Sequence, residues 1–270
     1  MAGSYPPLKF TTMPELPDLQ VFSSNLTKQL AGKTLERITI SSKKTKTSSA
    51  AFKKALQQQK LTKVYREGKE LRFAFANGHI LGMHLMLHGQ LHFFTKKPDK
   101  KYVTTALLFT DGTGLALSDY QGAAVPSLDP EEKEAPDALS KQFTAAYLQK
   151  QLAATRSAIK NVLLDQQVVR GIGNAYADEI LWQAGISPFS VANKIPAAAV
   201  KKLARIIPKV LKEAEKKIRK HHPDIISGEI RDFMQIHNAH MTQSPNGAQI
   251  QKKAAGGRKT YYTDEQELFA

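Results

Sequence analysis

The chain of 270 residues carries 39 Lys and Arg against 24 Asp and Glu, a net charge of +15, with 41% hydrophobic residues and no cysteine. That apolar share can fill the core of one large domain or two ordinary ones, which excludes a disordered chain or a mini-protein scaffold. The missing thiols exclude disulfides, cysteine nucleophiles, iron–sulfur clusters and cysteine-bound zinc, so a metal would need His or carboxylate ligands.

Residues 1–12, MAGSYPPLKFTT, show neither a basic stretch with a following apolar run nor an Arg-rich amphipathic helix, and no run of about eighteen apolar residues follows. A soluble, intracellular protein is expected. From Pro17 to Leu30 apolar positions recur at helical spacing, at Leu19, Val21, Phe22, Leu26 and Leu30, until Gly32 ends the run. Short segments rich in β-branched and aromatic residues follow at Leu35–Ile40, Leu61–Tyr65, Leu71–Ala76, Gln90–Phe94, Val103–Phe109 and Leu115–Leu117. Asn77-Gly78 and Asp111-Gly112 punctuate them as turns, a pattern that predicts a sandwich or barrel. Pro126 to Asp137, PSLDPEEKEAPD, is acidic and Pro-rich and reads as a linker. Helices are then expected over Ser157–Gln166, Asn174–Ala184 and Pro196–Lys220, the last basic and kinked at Pro208, and a hairpin over Ile250–Tyr262 around Ala254-Ala255-Gly256-Gly257. Basic residues outnumber acidic ones in both halves of the chain. A polyanion lying across both, most simply nucleic acid, accounts for that distribution; solubility charge is the alternative.

Between the first two of those helices, Gly171 and Gly173 allow a tight turn before Asn174. Free backbone N–H groups and the helix dipole there attract an anion, and a DNA phosphate fits; an ordinary helical hairpin with a Gly turn is the other reading. The run SAIKNVLLDQQVVRGIGNAYADEILWQAGI resembles the helix–two-turn–helix element of the formamidopyrimidine-DNA glycosylase and endonuclease VIII family. Pro14-Glu15-Leu16-Pro17-Asp18 after Met13 resembles its opening Pro-Glu-Leu-Pro-Glu motif. Gly68-Lys69-Glu70-Leu71 is similar to the strand with its DNA-contacting lysine, and His84-Leu85-Met86-Leu87-His88-Gly89-Gln90-Leu91 to the loop that enters the helix at the lesion. Gly257-Arg258-Lys259-Thr260-Tyr261-Tyr262 looks like the fingertip that grips phosphates.

The resemblance implies an α+β fold: an N-terminal helix plus antiparallel β-sandwich, then a helical domain with the helix–two-turn–helix, and a C-terminal β-hairpin finger. The expected limits are an extension at 1–12, the sandwich at 13–125, a linker at 126–142, the helical domain at 143–236 and the finger at 237–270. It implies a base-excision-repair glycosylase with AP-lyase activity acting on double-stranded DNA that contains oxidised bases or abasic sites. A catalytically inactive damaged-DNA-binding protein is the alternative. The expected chemistry uses Pro14 as amine nucleophile, Glu15 as proton donor to the opening sugar and Lys69 at the site, with His84, Leu87, Asn174 and Arg258 on DNA. Leu87 stands where the family often has an intercalating methionine. No cofactor and no membrane are expected, and the protein is expected to be a cytoplasmic monomer, nucleoid-associated if bacterial.

Three departures from the family pattern matter. Twelve residues precede Met13, and a proline inside a chain is a tertiary amide without a nucleophilic lone pair. Either translation begins at Met13 and Pro14 is then exposed, or the lyase chemistry is lost. The four zinc cysteines are absent, their positions falling near Ser244, Gly247, Thr263 and Gln266, so the finger is expected to be zincless; His237 and His240 make only a weak H-x-x-H pair. After Asp119 the family's Arg and Phe are replaced by Tyr120-Gln121-Gly122-Ala123-Ala124, and the Ile226–Ile236 region is short. Weak discrimination of the opposite base follows, with ring-opened purines, hydantoins or oxidised pyrimidines preferred over 8-oxoguanine. Asp18, one methylene shorter than the family's glutamate, leaves its supporting role open.

Overall fold

Helix α1 (Leu16–Leu30) starts where Pro17 fixes a helical φ in the first turn and Asp18 Oδ2 accepts the Glu15 N–H at 2.9 Å. In the computed structural model, which describes residues 13–42, 44–255 and 257–270, this helix is buried on nearly every side and joins the two halves of the molecule. Leu19, Phe22, Leu26 and Leu30 enter the sandwich core, Leu16 enters the helical core, and Val21 packs with Ile218 and Ile230.

The strands are β1 (Leu35–Ile40), β2 (Leu61–Glu67), β3 (Glu70–Phe75), β4 (Ile80–His84), β5 (Gln90–Thr95), β6 (Val103–Phe109), β7 (Thr113–Ser118) and β8 (Pro126–Leu128). They form two four-stranded antiparallel sheets, ordered β1-β6-β7-β5 and β2-β3-β4-β8. Their inward side chains, among them Leu35, Ile38, Leu71, Phe73, Leu107, Phe109, Leu115 and Leu117, make one core with α1 and the short helix α2 (Ser49–Leu56).

Three elements of the sandwich half depart from the sequence reading. Helix α2 is capped by Ser48 Oγ, which accepts the Ala51 N–H at 3.2 Å. Strand β4 lies in the middle of its sheet, paired with β3 from Glu70↔His84 to Ala74↔Ile80. Strand β8 sits inside the stretch read as a linker, because its backbone completes the edge of β4. The rest of that stretch is fastened down as well: Asp137 pairs with Arg66, the Ala138 N–H donates to Arg170 O at 3.0 Å, and the Arg170 N–H donates to Pro136 O at 2.9 Å.

The second core is helical, built from α3 (Ala145–Ala153), α4 (Ile159–Leu164), α5 (Asn174–Ala184) and α6 (Ala197–His221). Val200, Leu203, Ile207, Val210, Leu211, Ala214 and Ile218 form the buried stripe of α6, and its lysines at 201, 202, 209, 212, 216 and 220 face solvent. Pro208 lies within this continuous helix. Strands β9 (Gln251–Ala255) and β10 (Arg258–Tyr262) pair antiparallel into the expected hairpin, with a small core of Ile236, Ile250 and Tyr261 against Trp182 at its base.

Candidate active site and nucleic-acid interface

The turn between α4 and α5 delivers its anion site to a side chain rather than to DNA. Glu15 Oε2 accepts the Gly173 N–H at 2.7 Å and the Tyr176 N–H at 3.3 Å, and Oε1 accepts the Ala175 N–H at 2.9 Å. The expectation of a phosphate at these amides is therefore corrected: the buried Glu15 carboxylate fills the helix N-terminus, stabilised by its dipole. Gly173 is required by this approach, since a Cβ there would collide with the carboxylate. Gly171, at φ +103, brings its carbonyl to the Leu16 N–H at 3.2 Å and so ties the turn to the start of α1. Gln166 closes the turn, accepting from Gly171 N–H at 2.9 Å and donating to Ile172 O at 3.0 Å; its side chain is engaged there, and α4 ends earlier than the sequence suggested, at Leu164.

Pro14 is buried beside Glu15. The Asp18 carboxylate that fixes the Glu15 backbone is itself gripped by Arg231, whose Nη1 and Nη2 stand 2.9 and 2.8 Å from its two oxygens. A bidentate pair of this kind locks orientation as well as charge, so the shorter Asp18 still does a supporting task. Arg231 also lies 5.1 Å from the Tyr176 ring centre and 2.9 Å from Glu229 Oε2. Sequence reasoning missed Arg231 and Glu229, since neither belongs to a local motif.

Lys69 follows Gly68 in the turn between β2 and β3. Burial pulls its amine below the ordinary lysine range, with Glu15 opposing and Arg258 adding to the effect, so these three groups share one electrostatic neighbourhood. His84 ends β4, where burial and then Lys69 and Lys133 push its imidazole down to about 4. Its Nδ1 accepts the Met86 N–H at 3.0 Å, which leaves the proton of the neutral ring on Nε2 as a donor. The loop beyond it is tight: Met86 adopts φ 55, left-handed for a residue with a side chain, and the Gly89 N–H donates to Leu85 O at 2.8 Å. Leu87 projects from this loop with 46% of its surface exposed. Beside it, Tyr120 packs against His88 with the rings tilted at 44° and their centres 4.5 Å apart.

The finger is clamped to the helical half near its tip. Asn174 Nδ2 donates to Lys259 O at 2.9 Å, and Lys160 Nζ donates to Thr260 Oγ1 at 2.8 Å and pairs with Asp178 Oδ1 at 2.6 Å. Asp178 Oδ2 accepts the Tyr261 N–H at 3.0 Å and meets His237 Nδ1 at 2.7 Å. Asn174 thus holds the strand carrying the exposed Arg258, and His237 has one ring nitrogen committed to Asp178. Pro14, Glu15, Lys69, His84, Asn174 and Arg258 are therefore linked by contact, chain adjacency or field, while Leu87 stands apart on its loop.

The formamidopyrimidine-DNA glycosylase N-terminal domain model matches residues 13–124, and the formamidopyrimidine-DNA glycosylase H2TH domain model matches residues 135–222. The formamidopyrimidine-DNA glycosylase of Mycoplasma mobile is 31% identical over 268 residues, spanning 93% of this chain and 97% of its own. The chain belongs to the formamidopyrimidine-DNA glycosylase family. The Bacillus subtilis enzyme of that name is also 31% identical, over 272 residues, with coverage of 93% and 97%. Among solved structures, wild-type Lactococcus lactis Fpg (MutM) bound to DNA with an oxidised pyrimidine superposes with a TM-score of 0.85 at 25% identity, covering 94% of this chain and 100% of its own. MutM bound to DNA with carbocyclic 8-oxoguanine gives 0.84 at 25% identity with the same coverage. Among the described residues of this family member, no helix is long and apolar enough to cross a membrane.

Proposed function

We propose that this protein is a base-excision-repair DNA glycosylase with AP-lyase activity, working on oxidised or ring-opened bases and abasic sites in double-stranded DNA. The observation that carries the reading is the Glu15 carboxylate, buried at the N-terminus of α5, next in sequence to Pro14 and within the field of Lys69. The names of the relatives and the DNA in the neighbouring complexes support it.

The chemistry needs Pro14 as a free secondary amine, so residues 1–13 are absent from the active form. The amine nitrogen attacks the sugar C1′ and gives its proton to the Glu15 carboxylate, while the bond from C1′ to the base breaks and the departing base takes a proton from water. Glu15 protonates the ring oxygen as the sugar opens, and the nitrogen lone pair completes an iminium at C1′. That cation acidifies the C2′ hydrogen; its loss expels the 3′ phosphate, and a second elimination expels the 5′ phosphate. Water then hydrolyses the iminium and returns the amine. Lys69 adds positive charge beside the nucleotide, His84 donates through Nε2 to a phosphate oxygen, Arg258 holds phosphates, and Leu87 fills the space left by the extruded nucleotide.

Ring-opened purines, hydantoins and oxidised pyrimidines are the preferred lesions over 8-oxoguanine. The segment between α6 and the finger is short and pinned, with the Leu91 N–H donating to Ser227 Oγ at 3.0 Å and Arg231 fixed on Asp18. It has little slack to fold over 8-oxoguanine. The setting is the cytoplasm.

Borohydride reduction tests the reading. Protein beginning at Pro14 is expected to become covalently trapped on abasic-site DNA, Pro14→Gly to retain part of that trapping through its primary amine, and the full 270-residue chain to give none. Equal trapping with and without residues 1–13 would move the nucleophile to a lysine and overturn the assignment of Pro14.

A further inference from the structure

The family pattern implies a zinc ion at the base of the finger, and the residues in place do not fit one. Ser244 and Thr263 offer neutral hydroxyls where thiolates stand in relatives, Gly247 offers nothing, and the Gln266 side chain is spent. Gln266 Oε1 accepts the Thr263 N–H at 2.9 Å, and its Nε2 donates to Ile186 O at 2.8 Å. Among the described residues no three His, Asp or Glu side chains converge to hold a metal.

A carboxylate gathers these segments instead. Glu265 Oε2 accepts Ser244 Oγ at 2.9 Å, Thr263 Oγ1 at 3.0 Å and Trp182 Nε1 at 3.2 Å, and Oε1 accepts Asn246 Nδ2 at 2.7 Å. Three separate pieces of chain meet there: the end of α5, the turn at 244–247 and the residues that follow β10. Ser244 also organises its own turn, since its backbone carbonyl accepts the Gly247 N–H at 2.9 Å and its N–H donates to Ala248 O at 2.8 Å. The four donors hold the Glu265 carboxyl down at about 2, so it is an anion at any working pH. An anion accepting four hydrogen bonds ties neutral donors together as a zinc cation ties thiolates, with the charges reversed.

We infer that Glu265 is a positioning residue that takes the place of the family's zinc, fixing the base of the hairpin so that β10 presents Arg258 to DNA. The inference rests on the proposed role of Arg258 at phosphates, and its readout separates the two. Trp182 is the one tryptophan of the chain and donates directly to Glu265, so its fluorescence reports the knot without DNA.

In DNA-free protein, Glu265→Ala is expected to shift Trp182 emission most, while Glu265→Gln, which loses the charge and one acceptor, and Ser244→Ala, which removes one donor, fall between it and the wild type. With a duplex containing an abasic-site analogue, Glu265→Ala should bind on the order of tenfold more weakly, much as Arg258→Ala does. The double variant should bind no worse than Arg258→Ala alone, because both changes remove the same contact. Should Glu265→Ala lose its circular dichroism, the Gln and Ser244→Ala variants carry the comparison. Unchanged emission and affinity in all three variants, an undiminished Glu265→Ala effect in the Arg258→Ala background, or stoichiometric zinc in the purified protein would overturn the inference. If Arg258→Ala alone binds like wild type, the phosphate reading is what fails, and the DNA-free emission still decides whether Glu265 holds the finger.

Discussion

Glu229 lies 2.9 Å from Arg231, yet burial, aided by Asp18 and Glu15 and opposed by Arg231, pushes its carboxyl up to about 7. Its Oε2 has no hydrogen-bond partner, so the guanidinium stands at ion-pair distance without hydrogen-bond alignment: Nη1 and Nη2 donate to Asp18, Nη1 also to Ile230 O, and Nε has no partner. Between the ordinary carboxyl value of 4.5 and about 7, the folded protein holds a proton at Glu229 that the unfolded chain has released. That contribution to stability is complete below 4.5 and is lost as pH rises through about 7. His84, pushed down to about 4 from 6.5, acts with the opposite sign: the unfolded chain takes up its proton first, so stability is lost as pH falls through that window. The two effects partly cancel in the wild type, and the informative quantity is its difference from Glu229→Gln. From pH 5 to pH 7.5 the wild type should lose on the order of 1–3 kcal/mol relative to the variant. Parallel denaturant-midpoint profiles for the two proteins across that range would rule this out.

The N-terminus of α5 shows how an element selects its residues. Gly173 has an extended backbone, φ −120 and ψ −169, which any residue adopts, so its glycine is explained by space alone. Gly173→Ala forces the Glu15 carboxylate off the amides of residues 173, 175 and 176. The expected result is a single-turnover excision rate lower by about a hundredfold or more, the usual worth of a positioned proton donor. The melting temperature should also fall, because buried N–H groups are left unpaired. A variant with wild-type excision would place the proton donor elsewhere. The same element was legible in the sequence down to its end residues, because Gly171, Gly173 and Gly185 frame it. Strand β4 was not: ILGMH is five residues long, contains Gly82, and runs into the loop at His84 without a break in composition. Helix α3 escaped because only Leu148 and Leu152 mark its buried face. Strand β8 escaped because backbone pairing, rather than side chains, makes it a strand.

On the scale of the whole molecule, the site residues divide by how far apart they lie in the chain. Pro14, Glu15 and Lys69 belong to short motifs and could be read from the sequence. The Asp18–Arg231 pair spans 213 positions, and the Glu15 carboxylate meets Ala175 across 160, so only the packing of α1 between the two cores brings them together. DNA is the ligand expected to span that assembly, with phosphate held by the finger and the base stack entered by the β4–β5 loop. These two contacts have different physical signatures. Arg258→Ala removes one charge from a phosphate, so it should weaken binding to intact and abasic duplexes alike and reduce the slope of log K against log salt by about one unit. Leu87→Ala removes apolar surface from an exposed loop tip and no charge, so the salt slope should hold. Base excision should fall, since nothing fills the space of the extruded nucleotide, while cleavage of a preformed abasic site should suffer less because no base remains to be extruded. Fluorescence anisotropy over a salt series, paired with strand-cleavage assays on a lesion duplex and an abasic duplex, measures both. A Leu87→Ala slope change as large as that of Arg258→Ala, or equal loss of excision and abasic cleavage, would take Leu87 out of the base stack.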